Sequence, residues 1–257
     1  MIDQLGLIGL GFVAGVLGSM IGLGGGIIVV PILTFFGFSP TLAASSSLFA
    51  AFSNAAASTI SYSKQKRIEF SLGLKLGLLT VPGTVLGAFF SSNVAPEIFK
   101  ILFGFVLIAS AIYIFVRKKI EDKKVNLSKQ MMVFSIGASF FAGILSAFFG
   151  IGGGIIFVPL MVVGMGMVMK KAAPTSQLIL LFASFSGVVV HSTLGHSDFL
   201  IAGLLALGSF MGGLVGSRLS VDIKERFLQI TVSVVIIGAA IKMFLDSISD
   251  NWYLLND

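Results

Sequence analysis

Uncharged apolar stretches follow one another nearly end to end along this chain, separated only by short charged clusters. They fall at roughly 5–21, 25–37, 41–62, 71–91 and 98–116, and again at roughly 131–149, 153–168, 172–192, 199–217 and 227–245. A hydrocarbon core takes about 20 helical residues to cross. Most of these blocks therefore predict transmembrane helices, and the chain reads as an all-α integral membrane protein. The second block of each set is short, about 13 to 16 residues or roughly 20 to 24 Å of helix. The first two blocks of each set thus form either a re-entrant hairpin or one long span with a break in it.

The two sets of five are copies of one unit. Residues 12–31 return as residues 140–159 with twelve of twenty positions identical, sharing Gly-x-Gly-Gly-Gly-Ile-Ile-x-Val-Pro. With one inserted residue the match continues: Ser46-Ser47 against Thr175-Ser176, Glu69-Phe70 against Asp198-Phe199, and Gly83 and Gly87 against Gly212 and Gly216. Residues 1–120 are the first membrane repeat, 121–129 a basic cytoplasmic linker and 130–257 the second repeat. Together they make one transport domain.

Charge orients the copies. If the first two blocks of each repeat enter and leave on the same side, each repeat crosses an odd number of times and the repeats are inverted. The clusters Lys64/Lys66/Arg67, Arg117 to Lys129, Lys170/Lys171 and Arg218/Lys224/Arg226 then share one side, which Lys75 reaches by snorkelling. That puts 15 of the 17 basic residues in the cytoplasm, all but Lys100 and Lys242. A parallel arrangement leaves only 11 there. Positive residues gather on the cytoplasmic side of membrane proteins, so the inverted arrangement is expected, with both termini outside.

Composition narrows the chemistry. Of 257 residues 56% are hydrophobic and 11% charged, and mean hydropathy is +1.05. Soluble domains carry roughly a quarter charged residues. The net charge of +6 reads as orientation signal rather than nucleic-acid binding. Met1-Ile2-Asp3-Gln4 lacks the basic start of a cleaved signal peptide, so the first span is expected to be retained. There is no cysteine, which excludes disulfides and thiolate chemistry, and His191 and His196 have only Asp198 nearby, so no metal site is expected. No charged catalytic constellation points to an enzyme, and no cofactor is expected.

The candidate chemistry lies in the glycine runs. Each glycine costs a helix about 1 kcal/mol relative to alanine, and broken backbone at membrane depth is tolerated only inside protein or beside a water-filled cavity. The helix restarts at Ile27 and Ile155, so Gly24, Gly25 and Gly26, with Gly152, Gly153 and Gly154, offer free N–H groups at a positive helix end, suited to an anion. Inversion brings the two ends together near the midplane, where transporters hold substrate. Close helix packing is the competing reading of the glycines. It is the better one for Gly83/Gly87 and Gly212/Gly216, but three consecutive glycines exceed what a packing face needs. No Lys-Ser/Thr follows the triple, so it is not a nucleotide loop. Ser46, Ser47 and Asn54 in the third block are mirrored by Thr175, Ser176 and Gln177, which can donate to anionic oxygens without a buried cation. The alternative is that such hydroxyls bond their own helix's carbonyls. No carboxylate lies mid-span, and His191 is the one candidate for proton coupling.

The duplicated glycine motif, followed by Ala44-Ser-Ser-Ser47 or Ala173-Pro-Thr-Ser176 and then the Gly-x-x-x-Gly pair, resembles the TauE/SafE family of sulfite exporters, also called the 4-toluene sulfonate uptake permease group. The resemblance covers both repeats. It implies a transporter of the prokaryotic plasma (inner) membrane that moves sulfite, a sulfonate, sulfoacetate or another small organic anion. Secondary transport by alternating access, with a coupling ion (H+ or Na+), is the expected mechanism. The partners are then the anion, that ion, membrane lipid and, as an open alternative, a second copy in a homodimer. A passive anion channel of the same fold and a non-transporting membrane subunit are the rival readings. The repeats are not identical: Pro174 and Gln177 have no like residue in the first, and Lys170-Lys171 replaces the uncharged region of Thr41-Leu42.

Overall fold

A computed structural model of the chain describes residues 3–91, 94–116 and 129–221, with the single positions 234, 237–241, 243 and 245. Its helices are α1 (Gln4–Ile21), α2 (Gly26–Phe35), α3 (Pro40–Lys64), α4 (Phe70–Ser91), α5 (Pro96–Val116), α6 (Lys129–Phe149), α7 (Gly154–Pro159), α8 (Met169–Thr193) and α9 (Phe199–Leu219). A π-helical turn at Leu160–Gly164 extends α7. No strand occurs among the described residues. Of the expected tenth block only those single positions are described, and the expected linker, but for Lys129, lies outside the described residues.

Local chemistry sets the ends. Asp3 accepts from the Gly6 N–H at 2.8 Å to start α1, and Asp198 accepts from Leu200 and Ile201 to start α9. Ser39 caps α3 ahead of Pro40, whose missing N–H costs nothing in a first turn. Gly22 stops α1 with φ +81°, a left-handed conformation that a side chain resists.

The repeats interlock. The first helix of each packs along the fourth of the other: α1 on α9 and α6 on α4. Both contacts are parallel. Ser209 donates to the Gly11 carbonyl at 3.0 Å, and further along Gly216 lies against Val16. Gly83 and Gly87 lie against Phe140 and Ile144 in turn. The small residues let backbones touch, as membrane helices without a hydrophobic drive between them require. The third helices, α3 and α8, meet each other antiparallel. Ser45 near the start of α3 bonds Ser197 just beyond α8 at 2.5 Å. At the other end, the Arg67 Nε beyond α3 donates to the Lys170 carbonyl at the start of α8, at 2.9 Å.

These directions decide how the first two blocks of a repeat are joined. α9 starts beside the start of α3, and α1 runs parallel to α9, so α1 and α3 begin at the same end of the bundle. The chain must turn back between them. It does so at the glycines: Gly24 lies against Gly18 and Gly25 against Ala14, while Gly153 lies against Ser146 and Ala142. Each repeat opens with a hairpin rather than one interrupted span. α1 is 18 residues long, about 27 Å at 1.5 Å per residue, so the turn at Gly22 comes most of the way across.

Among the described residues five helices, α1, α4, α6 (Met131–Phe149), α8 and α9, are long and apolar enough to cross a membrane. Phe89, Phe90, Phe105, Phe141, Leu207 and Met211 point outward from the bundle, as lipid contact demands. α3 is the polar exception, and it lies in the centre with Ser45, Ser46, Ser47, Asn54 and Ser58 fully buried. Polar side chains within a span face the bundle interior because lipid cannot bond them. Lys64, Lys66, Arg67, Lys170, Lys171 and Arg218 share one end of the bundle, the basic end. The starts of α1, α3, α5 and α9 lie at the other.

With no native cysteine in the chain, Ser45→Cys with Ser197→Cys is expected to form a disulfide under mild oxidant, read as a mobility shift. Ser45→Cys with Lys170→Cys is not. The opposite result rejects the antiparallel α3–α8 pair.

Candidate functional site

The two glycine breaks lie side by side in the centre of the molecule. Gly24 and Gly152 both face the side chains of Leu180 on α8 and Ala51 on α3. Backbone meets backbone between them: a Cβ on Gly26 would stand 2.8 Å from the Ile151 Cα, and one on Gly154 2.7 Å from the Leu23 Cα. No side chain fits at either position. Gly24, Gly25, Gly26, Gly152, Gly153 and Gly154 are thus brought together and buried.

A helix end leaves carbonyls behind it and N–H groups ahead of it without partners. At these breaks the two kinds are treated differently. The Gly22 carbonyl accepts from the Ser176 hydroxyl at 2.7 Å, and the Gly150 carbonyl from Ser47 at 2.8 Å. Each serine belongs to the opposite repeat, so each repeat caps the other's break. The Gly18 carbonyl accepts from the Gly22 and Leu23 N–H groups and from the Gln177 amide at 3.0 Å. Ahead of the breaks the picture reverses. Among the described residues no acceptor receives the N–H groups of Gly24, Gly25, Gly26 and Ile27, nor those of Gly152, Gly153, Gly154 and Ile155. The next N–H groups, of Ile28 and Val29 and of Ile156 and Phe157, turn back onto Gly25 and Gly153.

Ser47, Ser176 and Gln177 therefore stand at the breaks, but with their protons given to backbone carbonyls. That differs from the expectation that such hydroxyls point at a substrate or bond their own helix. Thr175 is placed elsewhere: it donates to the Lys171 carbonyl at 2.7 Å and accepts from the Glu69 N–H at 3.0 Å, tying the α3–α4 loop to α8. Asn54 sits where α3 meets α9 at Gly213, accepting from Ser58, and no described contact joins it to a break. Among the described residues several buried polar atoms find no partner: the Ser46 hydroxyl, the Asn54 amide nitrogen, the Ser146 hydroxyl and the Gln177 amide oxygen. Ser146, which lies against Gly153, carries no signal in the sequence beyond its match to Gly18.

The ends of α3 and α8 hold a second matched pair that sequence reading missed. Tyr62 and His191 are counterparts, as are Arg67 and His196. The Tyr62 hydroxyl donates to the Ser19 carbonyl at 2.9 Å, in the last turn of α1. Nε2 of His191 lies 3.0 Å from the Ala147 carbonyl, in the last turn of α6. The Arg67 guanidinium lies 5.0 Å over the Tyr62 ring, while Nδ1 of His196 lies 3.1 Å from Nδ1 of His191. His191 is thus placed at the end away from the basic clusters, one turn before the second break. The signal was the one-residue shift of the repeat, which aligns the four.

Loops close both ends of the bundle. At the basic end Lys171 pairs with Glu69 at 3.1 Å, and Gln65 donates to the Ser217 carbonyl at 3.2 Å. At the other end the Ser45–Ser197 bond is joined by one from Thr41 to the Ser91 carbonyl at 3.3 Å. Among the described residues no group of three His, Cys, Asp or Glu is placed to hold a metal ion.

The family model described as "Sulfite exporter TauE/SafE" matches residues 7–243. The chain is 28% identical to a probable membrane transporter protein, YunE, of Bacillus subtilis strain 168, over 94% of this chain and 97% of that protein. It is 30% identical to a probable membrane transporter protein of Methanocaldococcus jannaschii, over 88% of this chain and 90% of that one. It is 23% identical to the probable membrane transporter protein YfcA of Escherichia coli K12, over 91% and 87%. No solved structure matches.

Removing either cross-repeat cap leaves a buried carbonyl unpaired, at about 1–3 kcal/mol. Ser47→Ala and Ser176→Ala are each expected to lower the thermal midpoint in detergent, with threonine at the same positions restoring it. An unchanged midpoint in both alanine variants contradicts the capping role.

Proposed function

This chain belongs to the TauE/SafE sulfite exporter family and is a multi-pass membrane transporter, and we propose that it moves a small oxyanion such as sulfite, sulfoacetate or another sulfonate through the paired glycine breaks. The observation that carries this reading is the one-sided bonding at the breaks. Their carbonyls are capped and their N–H groups are not, in both repeats, at adjoining places in the protein centre. Free N–H groups at a helix start favour negative charge through the helix dipole and through direct donation. A sulfur oxyanion offers two or three oxygens to such donors, from α2 on one side and α7 on the other. No buried cation is needed, and the substrate is not held so tightly that it cannot leave.

The same layout supports alternating access. The antiparallel run of the counterparts α3 and α8 supports reading the repeats as inverted in the membrane. Ties at the basic end, Arg67 to Lys170 and Lys171 to Glu69, close one route to the centre. The Ser45–Ser197 and Thr41–Ser91 bonds close the other. Releasing one set while the other holds exposes the breaks to one side at a time, the exchange of roles that inverted repeats allow. By the positive-inside rule the basic end faces the cytoplasm of a prokaryotic cell, and a proton or sodium ion drives the cycle.

Proteoliposomes loaded with unlabelled anion are expected to accumulate labelled sulfite or sulfoacetate transiently, with saturation. Voltage-driven, unsaturated flux without exchange makes the protein a channel, and no flux of any panel anion makes it a non-transporting subunit. Gly25 has an ordinary φ of −73° and its added Cβ would lie 3.3 Å from Ala14. Gly25→Leu, crowding the donors, is expected to abolish counterflow in protein that stays monodisperse and helical; normal counterflow contradicts a site at the break.

A further inference from the structure

The matched pairs at the ends of α3 and α8 do one job with different chemistry. In each repeat the third helix grips the last turn of the first helix, three residues before the glycine that starts the break: Tyr62 on Ser19 and His191 on Ala147. In the first repeat the gripping group is a phenol backed by a permanent cation, Arg67. In the second it is an imidazole backed by another imidazole, His196. We propose that His191 and His196 form a proton-binding clamp on the end of α6, and that loading it with protons releases the second glycine break.

The hydrogen bonds fix where protons sit. A carbonyl only accepts, so Nε2 of His191 carries the proton facing Ala147. In the neutral pair His191 Nδ1 is then a lone pair, receiving the Nδ1–H of His196. A first added proton goes to His196 Nε2 and leaves both bonds intact. A second must go to His191 Nδ1, and it sets N–H against N–H across 3.1 Å. That forces the rings apart and pulls His191 from the Ala147 carbonyl. Partial burial already holds the His196 imidazole below the usual histidine range. His196 therefore favours its neutral form in the folded protein, and what it contributes to the clamp is present at higher pH and lost as pH falls. Tyr62 and Arg67 keep their charge states over the same range.

Among the described residues no permanent counter-charge stands within the clamp. At this end of the bundle α3, α4, α6 and α7 place no charged side chain. Asp198, at the start of α9, is engaged by the N–H groups of Leu200 and Ile201. Glu97 and Lys100 lie in the first turns of α5, whose Phe99 stacks on Phe148 beside the gripped turn. The clamp rests on the transport reading only for its consequence, that protons drive the second hairpin; its opening is a property of the protein alone.

Hydrogen–deuterium exchange of purified protein between pH 4 and 8, corrected for intrinsic rates, tests it directly. Exchange at Phe148 to Gly150 is expected to rise about tenfold toward acid, while Met20 to Gly22, held by the Tyr62 clamp, stays level. His191→Tyr with His196→Arg, which copies the first repeat, is expected to flatten the response. So is His196→Gln, whose amide can donate to or accept from His191, should the double variant fail to fold. An equal response in both repeats, no response in wild type, or a response that survives these variants overturns the clamp. Exchange of a sulfonate whose charge is constant over this range is measured alongside. A pH response in deuterium uptake without sulfonate flux upholds the clamp and refutes the transport reading; flux with level deuterium uptake does the reverse.

Discussion

An interrupted helix inside a membrane protein must find partners for the backbone groups that the interruption frees, and lipid supplies none. Here that constraint governs the whole arrangement. Each repeat breaks its first helix at Gly22 or Gly150, and the freed carbonyls are met by the other repeat's Ser176 or Ser47. Neither repeat can complete its own break. The interlocking of α1 with α9 and α6 with α4 is the packing that delivers these serines. The glycine rows along those helices, where backbones approach within reach of a Cβ, make the packing close enough.

The same constraint separates structure from chemistry. Carbonyls behind the breaks are consumed by Ser47, Ser176, Gln177, Tyr62 and His191. Among the described residues the N–H groups ahead of them find no acceptor, in matched sets on the two repeats. A protein stabilised only by packing has no use for that imbalance, since each unpaired buried donor is a cost. In the carrier that we propose, an anion in transit fills the donors. The closure of both ends by short polar ties belongs to the same economy, because hydroxyl, amide and single ion-pair bonds at loops can be exchanged for water without unfolding a helix.

Much of this was legible in the sequence. Block lengths and glycine position gave helix ends close to those of α1, α3, α4 and α8, and the duplicated motif marked both breaks. The positive-inside count favours a hairpin, and in the structure Gly24 lies against Gly18 and Gly25 against Ala14. The polar layer was read less well, for a physical reason. A serine in a span signals only that it is buried, and whether its proton serves a ligand or a carbonyl depends on the element opposite. Ser47 and Ser176 point across the repeat boundary, while Thr175, their neighbour in sequence, points into a loop. The equivalence of Tyr62 with His191 and Arg67 with His196 hides behind a single inserted residue and unlike side chains; only their common grip on the last turn of α1 and α6 reveals it.

We propose that the two breaks form one anion site at the middle of the protein, reached from each side in turn. Ala51 lies against both Gly24 and Gly152, and a single cysteine there reports directly on that space. Ala51→Cys is expected to react with a small membrane-impermeant thiol reagent applied from either side in separate vesicle preparations, and sulfite or a sulfonate is expected to slow both reactions. Reaction from one side only, or at a rate the anion does not change, would contradict it.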